Sequence, residues 1–158
     1  MLNEDYRDIL RLLNDERARF LLVGAYALAA HGYVRATMDI DIWVGRAPDN
    51  AAAVMRAIAR FGAPLHGLTQ ADLEQDGNVF QIGVAPRRID IITSASGLDF
   101  EQVFSRSTTT EVDGITVRIP SVADLICNKR ASGRTRDLAD AEALEELIRT
   151  EPGLQSDA

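Results

Sequence analysis

Between Met38 and Val44 the chain reads Met-Asp-Ile-Asp-Ile-Trp-Val, and strict alternation of acid with branched aliphatic narrows this stretch to an extended strand. With a period of two, Asp39 and Asp41 stand on one face and Ile40, Ile42 and Val44 on the other. The aliphatic face needs cover from other elements. The acidic face needs water or a cation, because a charge buried without a partner is costly. Carboxylates at i and i+2 lie about 7 Å apart along one face, close enough to converge on one or two cations with a third ligand nearby. Taken alone, Asp-x-Asp on a half-buried sheet is more often just the solvated face of an amphipathic strand, so the surroundings decide.

Those surroundings resolve into short elements. Tyr6, Ile9, Leu10 and Leu13 have the spacing of one helix face, which predicts an amphipathic helix from Asn3 to about Ala18. Phe20-Leu21-Leu22-Val23 reads as a strand ended by Gly24, and Ala25 to Ala30 as a helix. Pro48 and Asp49 open a helix that runs to Phe61 and stops at Gly62, followed by a short helix near Ala71 to Glu74. Val79 to Val84 and Arg88 to Ile92 predict a hairpin with Pro86 in its connection. Thr108 to Val112 and Ile115 to Ile119 flank Asp113-Gly114, a strong turn signal, and this second hairpin is expected to extend or edge the sheet. Ser121 is placed to cap a helix to about Ser132, ended by Gly133, and Thr135 to cap a last helix through Ile148. The expected organisation is a single domain over residues 1–152 and a frayed tail over 153–158.

Asp90 is the one carboxylate in the otherwise apolar run Ile89-Asp90-Ile91-Ile92, where an unpaired charge would be unfavourable. A metal shared with Asp39 and Asp41 removes that cost. Such a site takes hard oxygen ligands together with substrate phosphates, which suits Mg²⁺ or Mn²⁺. Gly24, about fifteen residues before the acids, sits between strand and helix, where backbone N–H groups can approach a phosphate, although such turns often need glycine for sterics only.

Composition excludes several alternatives. The 158 residues are 46% hydrophobic and 26% charged, as in an ordinary globular domain. No run has the length and apolarity of a membrane span, and the polar, acidic start does not resemble a signal peptide, so a cytoplasmic protein is expected. The lone Cys127 leaves no internal disulfide and no zinc cluster. The 24 acidic and 17 basic residues make the chain repel nucleic acid in general. The local exception is Lys129, Arg130, Arg134 and Arg136, a basic spot suited to a phosphate-bearing ligand.

Val23-Gly24-Ala25, His31-Gly32, Arg35, Thr37 and Asp39-Ile40-Asp41, followed by Asp90 in an apolar strand, resemble the signature of the DNA polymerase β-like nucleotidyltransferase superfamily. Within it the likeness is to small bacterial members: minimal domains, lincosamide-type nucleotidyltransferases and AbiEii-like toxins. The stretch from Lys129 and Arg130 through Arg134, Arg136, Asp137 and Asp140 resembles the C-terminal helix motif of the AbiEii-like group.

The resemblance implies an α/β (α+β) fold, a mixed twisted sheet backed by helices, with further helices at the C-terminus. It implies Asp39, Asp41 and Asp90 as metal ligands and catalytic acids, Asp90 activating the acceptor hydroxyl, and Gly24 and Ala25 as the phosphate-contacting turn. The superfamily often carries Gly-Gly or Gly-Ser there; Ala25 preserves backbone contact and removes side-chain contact. The implied reaction moves a nucleoside monophosphate from a nucleoside triphosphate to a hydroxyl of a small molecule, protein or tRNA, releasing pyrophosphate. The alternatives are a weak or inactive nucleotide-binding module and a toxin acting on RNA. A homodimer or an antitoxin is a candidate partner.

The remaining candidates each have two readings. Arg35 and Thr37 either contact phosphate or sugar or brace the loop before the acidic strand. Lys129 either reaches the triphosphate or is a solvated cation at a helix end. Asp137 and Asp140 are first-turn helix acids unless they pair with Arg130 or Arg134. His31 is expected to cap or pack, and Trp43 and Tyr26 to lie in the core or at a site edge.

Overall fold

The computed structural model describes residues 2–150, so the expected tail lies outside the described residues. The elements are α1 (Glu4–Asp15), β1 (Phe20–Val23), α2 (Ala25–Ala30), β2 (Asp39–Val44), α3 (Pro48–Phe61), α4 (Gln70–Leu73), β3 (Val79–Ile82), β4 (Arg88–Ile92), α5 (Phe100–Arg106), β5 (Thr108–Val112), β6 (Ile115–Ile119), α6 (Val122–Ser132) and α7 (Thr135–Thr150). Four strands form a mixed sheet in the order β1-β2-β4-β3, with β2 and β4 parallel and both outer strands antiparallel to their neighbours. Capping residues set several helix limits: the Asn3 side chain accepts from the Tyr6 N–H, and that of Ser121 from the Asp124 N–H. Left-handed Gly62 and Gly133 end α3 and α6.

The period-two pattern places the core. Ile40, Ile42 and Val44 join Ile89 and Ile91 of β4 and the buried faces of α1 and α3 in the main core cluster. The opposite sheet face carries Asp39, Asp41 and Trp43 in turn, and its character changes along the strand. Trp43 is covered by Phe100 and Val103 of α5 with Leu21 of β1, in a smaller second cluster. Helix α5 is absent from the elements expected above, although Asp99 caps it through the Gln102 N–H and Phe100, Val103 and Phe104 share its apolar side. Covering Trp43 and leaving the acids open puts a cleft at the N-terminal ends of β2 and β4.

The second hairpin corrects one expectation. β5 and β6 pair with each other in a separate two-stranded sheet rather than adding to the main one. Ile115, Val117 and Ile119 bury their side chains in the main core, and the Thr116 carbonyl on β6 accepts from the Asn14 side chain of α1. Side-chain packing and that bond hold β6 in place where a ladder would otherwise be expected.

Candidate active site

Register brings the acids together. β2 and β4 run parallel with Asp41 opposite Asp90 and Asp39 opposite Arg88, so residues far apart in sequence meet on one face. Asp39, Asp41 and Asp90 each offer a carboxylate oxygen, and these oxygens lie within 4.8 Å of one another. Thr37 orients the first of them: its hydroxyl donates to Asp39 Oδ1 at 3.0 Å, which supports the bracing reading of Thr37. On the other side of Asp41, β1 ends with Val23 as its partner, so the next residue, Gly24, faces the Asp41 carboxylate. Gly24 has φ 70° and ψ −151°, a region nearly restricted to glycine, and a Cβ there would lie 2.3 Å from Asp41 Oδ2.

Burial, then the charges of Asp39 and Asp90, push the Asp41 carboxyl up to about 7 from its ordinary 3.8. In the metal-free protein Asp41 therefore holds a proton between about pH 4 and pH 7 that the unfolded chain has already lost. Stability contributed by this group is complete below pH 4, declines as pH rises to about 7, and is flat above it. Asp41→Asn removes the dependence. At pH 8 in chelator the variant is expected to be more stable than wild type by roughly 2 kcal/mol, or about 5 °C in Tm, with the difference vanishing at pH 4. Thermal melts at the two pH values check this, and a variant less stable at pH 8 would contradict it.

Arg88 is the residue of the candidate site that the sequence does not single out. Its Nη2 donates to Asp39 Oδ2 at 2.7 Å and to Asp90 Oδ2 at 3.2 Å, and its Nε donates to Asp90 Oδ1 at 3.0 Å. The available signal was its place two residues before Asp90, which puts it on the same strand face. Tyr6 supports it from behind, with its hydroxyl 3.1 Å from the carbonyl oxygens of both Pro86 and Arg88.

The facing wall comes from the loop before β2 and from α6 and α7. Gly24, Ala25, Arg35, Thr37, Lys129, Arg134 and Arg136 border a cleft of about 850 Å³ together with the three acids and Arg88. Lys129 is not a solvated helix-end cation. It is buried, with Nζ 3.2 Å from Asp140 Oδ2 and 3.6 Å from Asp137 Oδ1. Arg35 donates to Asp140 Oδ1 at 2.9 Å and Arg134 to Asp137 Oδ2 at 2.7 Å. The two helix acids thus tie three cations into the wall; Arg130 pairs instead with Glu145. Burial works to raise the Asp137 carboxyl, but the Arg134 bond and the Lys129 charge outweigh it and hold it below the usual range. Arg35 Nε is buried without a hydrogen-bond partner, and Arg136 is exposed with no ion pair among the described residues.

The other candidates have structural roles. His31 caps α2 and its Nε2 lies 2.9 Å from the Pro120 carbonyl. Trp43 is core, and Tyr26 packs edge-on against Tyr6.

This mixed sheet backed by helices is a nucleotidyltransferase fold. The chain belongs to the family described as nucleotidyltransferase of unknown function (DUF6036), whose pattern matches residues 2–150. It is similar in structure to a protein of Thermotoga maritima provisionally assigned as a nucleotidyltransferase, with a TM-score of 0.57 at 15% identity over 96% of this chain and 97% of that one. No curated protein matches the chain. Among the described residues, no helix is long and apolar enough to cross a membrane. The all-oxygen donor set of Asp39, Asp41 and Asp90 fits a hard divalent cation.

Proposed function

We propose that this protein is a metal-dependent nucleotidyltransferase that moves a nucleoside monophosphate from a triphosphate to an acceptor hydroxyl. The observation that carries the reading is the meeting of three carboxylates within 4.8 Å on one wall of a cleft whose other wall is cationic. Mg²⁺ or Mn²⁺ held by Asp39, Asp41 and Asp90 would supply charge neutralisation at the phosphates and at the attacking and leaving oxygens. Asp90 takes the proton of the acceptor hydroxyl. The hydroxyl oxygen bonds to the α-phosphorus as the bond to the β-phosphate bridge breaks, and pyrophosphate leaves. Arg35 and Arg136 hold phosphate oxygens, and Lys129 contributes charge from its pair with Asp137 and Asp140. The turn at Gly24 and Ala25 offers backbone N–H groups.

Incubation with α-labelled nucleotides, Mn²⁺ and cell extract is expected to give product with wild type and none with the double variant Asp39→Ala, Asp41→Ala. Equal labelling by both proteins would sink the reading.

Ala25 favours a second reading, a nucleotide-binding module with little or no turnover, because the turn lacks a hydroxyl for the phosphate. Triphosphate binding with metal but no product over long incubation selects it. The AbiEii-like RNA-directed toxin has weaker support, since Lys129, Arg130 and Arg134 are each engaged with carboxylates. We place the protein in the cytoplasm, with a second copy or an antitoxin as the candidate to complete the acceptor side.

A further inference from the structure

Arg88 stands between two carboxylates that belong to different strands. Three hydrogen bonds hold its guanidinium to Asp39 and Asp90, while its side chain is 35% exposed and borders the cleft. Two of the three candidate metal ligands are therefore already satisfied by a cation from the protein itself. A guanidinium and a divalent cation repel each other at such range, and both seek the same carboxylate charge. The two cannot share Asp39 and Asp90 at full strength.

Arg88 also differs from the other cations of the cleft. Lys129 is buried against Asp137 and Asp140, and Arg35 is mostly buried against Asp140, so neither has freedom to move. Among the described residues, the Arg88 guanidinium is hydrogen-bonded only by the groups that a metal would claim. Once released, its planar fork stays beside the acids, where the phosphates of a metal-bound nucleotide would lie, and such a fork pairs with phosphate oxygens in bidentate geometry.

We propose that Arg88 is a resident counter-cation of the Asp39–Asp90 pair that yields this place to the divalent metal and then pairs with the triphosphate, coupling metal binding to nucleotide binding. The proposal rests on the metal-dependent reading above. It predicts effects of opposite sign on the two ligands, which a merely structural role for Arg88 would not produce.

The test is calorimetric titration of chelator-stripped protein with Mn²⁺ alone, then with a nonhydrolysable triphosphate at saturating Mn²⁺. Arg88→Met is expected to bind Mn²⁺ about tenfold more tightly than wild type and the triphosphate about tenfold more weakly. Arg88→Lys keeps the charge but cannot span both carboxylates, and its Mn²⁺ affinity is expected to fall between the two. Wild type that binds Mn²⁺ as tightly as Arg88→Met overturns the proposal and leaves the metal-dependent reading intact. Loss of both affinities together in Arg88→Met also overturns it. If Arg88→Met does not fold, Arg88→Lys decides, and an affinity for Mn²⁺ no higher than wild type counts against the exchange. Absence of Mn²⁺ uptake by wild type and variants alike removes the metal-dependent reading and this proposal with it.

Discussion

Replacing Asp90 with asparagine is expected to lower nucleotide transfer at least about a thousandfold while leaving the protein folded, because the proposed reaction asks one side chain both to hold metal and to accept a proton. Asparagine has nearly the same shape, so the buried position on β4 stays filled. Its carbonyl oxygen keeps one of the two bonds Arg88 makes to Asp90, its amide gives up the other, and one negative charge beside Asp41 is removed. The fold should therefore lose little. The lost function is chemical: a neutral amide is a poor metal ligand and no base at all. Transfer rates with labelled nucleotide, read beside a thermal melt, separate the two effects. A variant that folds and retains activity within tenfold of wild type would remove Asp90 from the reaction.

The second large effect belongs to Gly24, where a single methyl group meets two obstacles. A Cβ would fall 2.3 Å from Asp41 Oδ2, and φ 70° with ψ −151° lies where alanine is strained whatever the space. Pairing with Val23 of β1 and Asp90 of β4 fixes the Asp41 backbone, so the clash is relieved by swinging its carboxylate out of place. Gly24→Ala is expected to destabilise the protein by about 3 kcal/mol and to abolish Mn²⁺ binding by displacing the Asp41 carboxylate. Denaturant unfolding measures the first part and calorimetric titration the second. Measured against Asp41→Gly alone, the double variant Gly24→Ala, Asp41→Gly shows the effect of the methyl group without the clash, and the destabilisation that remains is assigned to backbone strain.

Much of the fold was legible because its signals are local. The i, i+3, i+4 apolar face of α1, the alternation of β2 and the turn at Asp113-Gly114 each depend on residues a few positions apart. The glycine stops at Gly62 and Gly133 are of the same kind. Less visible was α5, whose seven residues carry only a cap and a short apolar side. Its role, covering Trp43 on the second sheet face, depends on a contact between distant parts of the chain.

The candidate site divides the same way. Asp39 and Asp41 share a face by strand geometry alone, and Asp90 is a lone charge among aliphatics. Thr37 and Lys129 were ambiguous because each had a plausible solvated alternative, and the choice depended on partners the primary structure does not pair. Those partners are Asp39 for Thr37, and Asp137 and Asp140 for Lys129. Arg88 carries little local signal, because arginine at the start of a strand is ordinary and only its neighbours across the sheet set it apart.

From the order of residues alone followed the helix and strand periods, the acidic face of β2 and the need of Asp90 for a counter-charge, since these rest on backbone geometry over two to four residues. The tertiary structure alone decided that β2 and β4 lie parallel with Asp41 opposite Asp90, and that Arg88 bridges the acids while α6 and α7 close the facing wall. Strand register is chosen by burying Ile40, Ile42, Ile89 and Ile91 together against α1 and α3, a free energy summed over the whole core. No local stretch of the chain contains that sum.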